Sequence, residues 1–230
     1  MNSLRNQPSK TETFMKRLIR LCLMLLAFCL VCCGTASAQA VGRATADFPN
    51  LRPNRQETAW GRLVADAIQN AGSADCAVIN AGALRSGTLE AGAIENDDIA
   101  ALLSFSEDDV VTLSISGAQI RAALERAASA FPTGSPAFLH LAGMNAVFDT
   151  SASSGKRIVS IRIAGRALED QKTYAVAMPV SLSEGAAGYF NIWSGAQAKP
   201  ANQSLQGAIA GWISARSEIS PDTSARFAPK

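Results

Sequence analysis

The run Asn80-Ala81-Gly82-Ala83-Leu84-Arg85 sets a carboxamide and a guanidinium on either side of a small-residue turn. Backbone groups at such a turn and the planar fork of an arginine can converge on a carboxylate or a phosphate. Phe105, flanked by Ser104 and Ser106, is an aromatic ring among polar neighbours, a type suited to stacking on a planar ligand. Chemistry alone leaves a second reading open for each: Arg85 as a solvated loop charge, Phe105 as an ordinary core anchor. His140 is the one histidine of the chain and alternates with apolar neighbours in Phe138-Leu139-His140-Leu141, which reads as a strand residue rather than a general base. The acidic groups Asp97-Asp98 and Glu107-Asp108-Asp109 read as a helix cap and a solvated loop. Gly185-Ala186-Ala187-Gly188 is a flexible turn, too generic for a phosphate cradle. A Ser-His-Asp site would rest on His140 alone, and no Gly-x-Ser-x-Gly motif occurs. A multi-histidine zinc site or a dinuclear centre cannot be built from one histidine, which leaves only carboxylate-rich alternatives.

The 230 residues divide into an apparent targeting segment and one domain. Lys16, Arg17 and Arg20 precede an apolar run from Leu21 to Val31, and Ala36-Ser37-Ala38 supplies small residues for cleavage. The run is shorter than the roughly 20 apolar residues a membrane helix needs, so residues 1–38 read as a signal peptide and no membrane span is expected. A lipid anchor on Cys32 or Cys33 is the alternative, less well matched because Val31 precedes the first. Five of the 21 basic residues and one of the 19 acidic ones lie in 1–38, so the remainder has 16 basic and 18 acidic residues and a net charge of −2. With no basic stripe, nucleic-acid binding is not expected. Four of the five cysteines also lie in 1–38, which leaves Cys76 without an internal partner. The sequence is therefore read as an exported protein, periplasmic or secreted, held together by its core.

The rest of the chain shows the periodicities that would position these groups. Residues 39–53 read as an extended lead-in, 54–216 as the folded domain and 217–230 as a tail. Trp60, Leu63, Val64, Ala67, Ile68 and Ala71 recur at helical spacing from Thr58 to Gly72. Asp75–Asn80 reads as a buried strand, and a short helix capped by Asp97 or Asp98 runs through Leu103. Val110–Ser116 alternates as a strand, and Ser116-Gly-Ala-Gln119 has capping-box spacing for a helix that continues until Pro132. Strands are predicted over 137–142, 145–149, 158–163 and 173–178, and a last helix from Ser204 to Ala215. Helices and strands mix without strict alternation, which predicts an α+β fold in a single domain.

The segments Glu57-Thr-Ala-Trp-Gly61-Arg-Leu-Val-Ala-Asp66-Ala, Asp75-Cys-Ala-Val-Ile-Asn80-Ala-Gly-Ala-Leu-Arg85, Ser104-Phe105, Leu113-Ser-Ile-Ser116-Gly117-Ala-Gln-Ile and Tyr174-Ala-Val-Ala-Met, in this order, resemble the C-terminal domain of the 5'-nucleotidases over about 54–215. The resemblance implies a domain that binds the nucleoside part of a nucleotide in nucleotide catabolism. In that family a separate N-terminal metallophosphatase domain holds two metal ions and hydrolyses the ester. It thus implies a C-terminal domain standing alone, with no cofactor of its own and a separate metallophosphatase as its partner. Arg85 matches the family arginine after the glycine-rich turn, Asn80 a ligand-contacting asparagine of some members, and Phe105 the first of two aromatics that sandwich the base. Gly82 is what remains of a Gly-Gly-Gly turn, and Arg55 or Arg52 stands near an upstream arginine. Two positions depart: the second aromatic falls at Ser181, and the ribose-holding aspartate at Ala187. A non-catalytic structural or protein-interaction domain with a decayed ligand site is the alternative.

Overall fold

The computed structural model describes residues 40–230, with Met15 alone among the residues before them. The signal peptide expected over 1–38 and the alternative anchor at Cys32 or Cys33 lie outside the described residues. In chain order, β1 (Gly42–Ala44) and β2 (Phe48–Asn50) lead into α1 (Ala59–Gly72) and β3 (Cys76–Asn80), after which a 3-10 turn spans Ala81–Ala83. β4 (Gly87–Leu89), β5 (Gly92–Ile94), α2 (Asn96–Ala101), β6 (Asp109–Ser116) and α3 (Gly117–Ser129) follow. Then come β7 (Leu139–Ala142), β8 (Met144–Phe148), β9 (Ile158–Ile163), β10 (Arg166–Ala167) and β11 (Thr173–Pro179). The short helices α4 (Val180–Ser183) and α5 (Phe190–Trp193) precede β12 (Gln197–Ser204), α6 (Leu205–Ser214), β13 (Glu218–Ile219) and β14 (Phe227–Pro229).

The fold is α+β, as the mixed periodicities predict. Its spine is a five-stranded sheet in the order β12-β6-β11-β3-β7, parallel only between β11 and β3. Alternation along these strands sends successive side chains to opposite faces. Cys76 and Val78 of β3 join Val111, Leu113, Ile115, Val176 and Met178 in one core, together with Ile120 and Leu124 of α3. Ala77 and Ile79 join Ala177 and Val110 in the other, against Trp60, Leu63, Val64 and Ile68 of α1 and Ile209 and Ile213 of α6. Each fully buried Leu, Ile or Val contributes about 1.5–3 kcal/mol, so the two cores flanking one sheet dominate its stability.

Local chemistry sets the helix starts. Thr58 caps α1 by accepting the Gly61 N–H at 3.0 Å, and its own hydroxyl donates to Asn50 Oδ1 at 2.6 Å. Gly61 is required by contact, because a Cβ there would collide with the His140 ring. Ser116 and Gln119 form the capping box of α3: the Ser116 N–H donates to Gln119 Oε1 at 2.9 Å, and the Gln119 N–H to Ser116 Oγ at 3.3 Å. α2 differs from expectation, since its cap is Glu95 and the Asp98 carboxylate instead accepts the Glu95 N–H at 2.8 Å.

The two ends also differ. Residues 39–53 contain strands: β1 pairs with β5, and β2 with β4, burying Phe48. Residues 217–230 are no tail, because β13 runs parallel to β1 and β14 parallel to β8. Phe227 packs on Phe138 and Phe148, with ring centres 5.3 and 4.9 Å away. The Arg226 guanidinium reaches Asp66 and Asp222, both at 2.7 Å, and the Leu141 carbonyl at 2.8 Å.

Candidate functional site

β3 ends at Asn80, a buried carboxamide whose Nδ2 donates to the Pro136 carbonyl at 3.2 Å. Its Oδ1 is buried and accepts no hydrogen bond from the described residues. Buried acceptors are normally satisfied, so this atom is an exception, and since it is closed off from solvent a donor from outside the chain reaches it only when the turn opens. The following turn is held close to the same segment: the Ala81 N–H donates to the Phe138 carbonyl at 2.8 Å, and the Gly82 N–H to the Pro136 carbonyl at 3.0 Å. A side chain at Gly82 would stand 3.0 Å from Asn80 Nδ2 and 3.2 Å from Pro136 Cβ, too tight for comfortable packing.

Beyond the turn, Leu84 bridges to Leu103, the Arg85 N–H donates to the Leu102 carbonyl at 3.0 Å, and the Ser104 N–H to the Ala83 carbonyl at 2.9 Å. The Arg85 carbonyl accepts from Asn50 Nδ2 at 2.6 Å, so the backbone is pinned on both sides while the side chain is exposed. This isolated bridge lays Arg85 beside the segment that leads into Phe105.

Phe105 is 61% exposed, so its reading as a core anchor does not hold. It starts a turn closed by the Asp108 N–H on its carbonyl at 3.2 Å. The start of α6 secures that turn from behind, Leu205 N–H donating to the Asp108 carbonyl at 2.7 Å and Gln206 N–H to the Ser106 carbonyl at 3.0 Å. In front of the ring is a pocket of about 510 Å³ lined by Ser104, Phe105, Ser106, Glu107, Asp108 and Ser181. Ser181 arrives because β11 pairs with β6 up to Pro179 opposite Val110, and its N–H then donates to the Asp108 carboxylate at 3.3 and 3.4 Å. The structure thus brings Phe105 and Ser181 into one pocket, with Arg85 on the adjoining loop segment.

The remaining positions lie elsewhere. Arg55 is exposed, lies against Gly134 and lines a separate cavity of about 170 Å³ whose aromatic wall includes Phe131, Phe138 and Phe148. Ala187 sits at φ 54°, a left-handed conformation, and its carbonyl accepts from Arg126 Nε at 2.9 Å and from Arg126 Nη2. Arg126 also covers the ring of Tyr189, whose hydroxyl donates to the Ala137 carbonyl at 2.6 Å. Phe190, next along the chain, is 70% exposed.

A second polar group was not foreseen. The Glu57 carboxylate is deeply placed and accepts backbone N–H bonds from Leu141 at 3.2 Å and from Arg226 and Phe227, both at 2.7 Å. Burial raises its pKa above the ordinary value, against the pull of those N–H groups and of Arg62. His140 is fully buried, accepts the Thr58 N–H on Nδ1 at 3.4 Å and donates from Nε2 to the Pro53 carbonyl at 3.0 Å. Desolvation depresses its pKa to about 4. Cys76 is buried, and the same cause pushes its thiol up to about 12, which makes it inert. Glu57 and His140 tie elements together; only long-range pairing reveals those contacts, and the sequence carries no local signal of them. Among the described residues, no three His, Cys, Asp or Glu side chains gather as a cation site.

Residues 35–193 match the 5'-nucleotidase C-terminal domain family. The chain belongs to that family. It is similar to snake venom 5'-nucleotidase of Naja atra, 32% identical over 88 residues, which are 35% of this chain and 17% of that protein. Among solved structures it resembles the 5'-nucleotidase precursor of Thermus thermophilus, with a TM-score of 0.77 at 22% identity over 89% of this chain and 42% of that one. It also resembles the NAD nucleotidase of Haemophilus influenzae, with a TM-score of 0.71 at 19% identity over 99% of this chain and 43% of that one. At these identities the two structures speak for the 5'-nucleotidase C-terminal fold alone, and the chain spans less than half the length of either. Among the described residues no helix is long and apolar enough to cross a membrane.

Proposed function

We propose that this 5'-nucleotidase C-terminal-like chain is exported and recognises a nucleoside or nucleotide in nucleotide catabolism, supplying the binding half while a separate metallophosphatase supplies the hydrolysis. The observation that carries this reading is Phe105: a large aromatic left 61% exposed on a doubly anchored turn, facing a pocket of about 510 Å³. Phe105 stacks on the base. Arg85, on the adjoining loop segment, meets the anionic end, Asn80 takes a donor from the ligand once the turn opens to it, and Gly82 lets the backbone of the turn come close. Arg55 opens on another cavity. The chain needs no metal of its own for recognition, since the two-metal chemistry belongs to the phosphatase half.

Thermal unfolding of the chain with AMP, adenosine or UMP tests this directly. A ligand at 100 times its dissociation constant adds about 2.7 kcal/mol. That corresponds to a rise of roughly 5–10 °C for a domain of this size. The rise should vanish in Arg85→Ala and Phe105→Ala. Phosphate release by a metallophosphatase should increase when this chain is titrated into it. No shift with any of the three would favour the second reading, a structural or protein-interaction domain. One observation supports that reading: Ser181 presents a hydroxyl, not a second ring, to the pocket.

A further inference from the structure

The walls of the Phe105 pocket carry an electrostatic preference that stacking alone does not explain. Of the six residues that line it, Glu107 and Asp108 are carboxylates, Ser104, Ser106 and Ser181 bear hydroxyls, and none is basic. Asp108 is fixed in place by the Ser181 N–H on its carboxylate and the Leu205 N–H on its carbonyl, so at least one carboxylate is held at the rim. Glu107 next to it is exposed and free to turn toward a ligand. An aromatic face is itself electron-rich and attracts cations and electron-poor rings. Two carboxylates beside it add to that attraction and accept hydrogen bonds from amino groups, while they repel a ring whose edge offers only acceptors. They also repel phosphate, which leaves the exposed guanidinium of Arg85, outside the pocket, as the group for an anionic end.

We infer that the pocket discriminates by the charge and donor pattern of the ring, taking a positively charged or amino-bearing base in preference to one that presents a carbonyl acceptor at the same edge. This rests on the reading of Phe105 as a nucleoside-stacking residue and adds the class of base.

Adenosine, inosine and 1-methyladenosine offer nearly the same stacking area but differ at that edge: an amine, a carbonyl and a cation. Calorimetric titration of the full chain with each should give the order 1-methyladenosine, adenosine, inosine. Consecutive ligands should differ by about fivefold, the upper range for a solvent-exposed charge contact. Glu107→Gln should compress the range between the cation and inosine, and 0.5 M salt should compress it further. Equal binding of all three, unaffected by Glu107→Gln but lost in Phe105→Ala, would overturn the discrimination and leave nucleoside recognition standing. Absence of heat and of chemical-shift change with all three would overturn both.

Discussion

Glu57 Oε2 lies 2.7 Å from the backbone nitrogen of Phe227, a contact that joins residues 170 positions apart. The same carboxylate holds the Arg226 N–H, and its other oxygen holds the Leu141 N–H on β7. One side chain just before α1 therefore seats both the last strand and the rim of the central sheet. Burial raises its pKa, and three backbone donors and Arg62 oppose that rise.

Glu57→Leu should be severely destabilising. It leaves three N–H groups without their acceptor at a cost of about 1–3 kcal/mol each, so a total loss of about 3 kcal/mol or more is expected. Phe227→Ala should cost about 3–5 kcal/mol through the cavity left beside Phe138 and Phe148. The double variant should lose less than the sum, since both changes release β14. Urea denaturation of the four proteins measures this, and strict additivity would contradict the shared seat.

His140 makes stability fall in mild acid. Its pKa is lowered in the fold to about 4, so between that value and the ordinary value of 6.5 the unfolded chain takes up a proton that the folded chain refuses. Stability from this group is complete above the unfolded pKa and is lost as pH falls through that window, by about 3 kcal/mol in all. Denaturation curves at pH 7.5, 6 and 5 should show the decline, and His140→Gln should flatten it. An unchanged slope in the variant would place the acid sensitivity elsewhere.

Ala187 carries backbone strain. An L-residue with a Cβ in the left-handed region costs about 1–2 kcal/mol, and asparagine tolerates it better. Ala187→Asn should therefore raise stability by about 0.5 kcal/mol, and Ala187→Val should lower it by about 1 kcal/mol or more. Melting temperatures in opposite directions are the expected signature; a loss in both would mean that the Arg126 clasp on the Ala187 carbonyl, not φ, governs the turn.

Ser181→Phe should return a second ring to the Phe105 pocket. One base–aromatic stack is worth about 1–3 kcal/mol, so nucleoside affinity should increase by about fivefold to a hundredfold. Titration of wild type and variant with adenosine decides this, and no gain would show that position 181 does not face the ligand.

The sequence made the middle of the fold legible and its margins obscure. α1, β6, α3, β11 and α6 each bury a face with a regular period over five residues or more, β3 is a short apolar run buried on both faces, and each lies within a residue or two of its expected place. β1, β2, β13 and β14 are two or three residues long, and no period can be read from so few. β12 is a polar edge strand containing Lys199 and Pro200, features that protect an edge and also disguise it as a loop. For the site, Asn80 and Arg85 were visible through the turn between them. The meeting of Phe105 with Ser181 was implied by the family resemblance alone and by no local pattern, because it depends on the register of β11 against β6 across a separation of some seventy residues. The Glu57 contacts with β14 were hidden for the same reason.

The pairing of β14 with β8 also bears on how the fold is reached in time. As the chain is made from its N-terminal side, α1 and the central sheet can assemble while Phe227 is still to come. Until it arrives, the Glu57 carboxylate lacks two of its three donors, and the rings of Phe138 and Phe148 face solvent along one side. The last strand therefore acts as a latch on an otherwise assembled body: a product clipped before Arg226 keeps its central sheet but presents an open aromatic seam to proteases and to other chains.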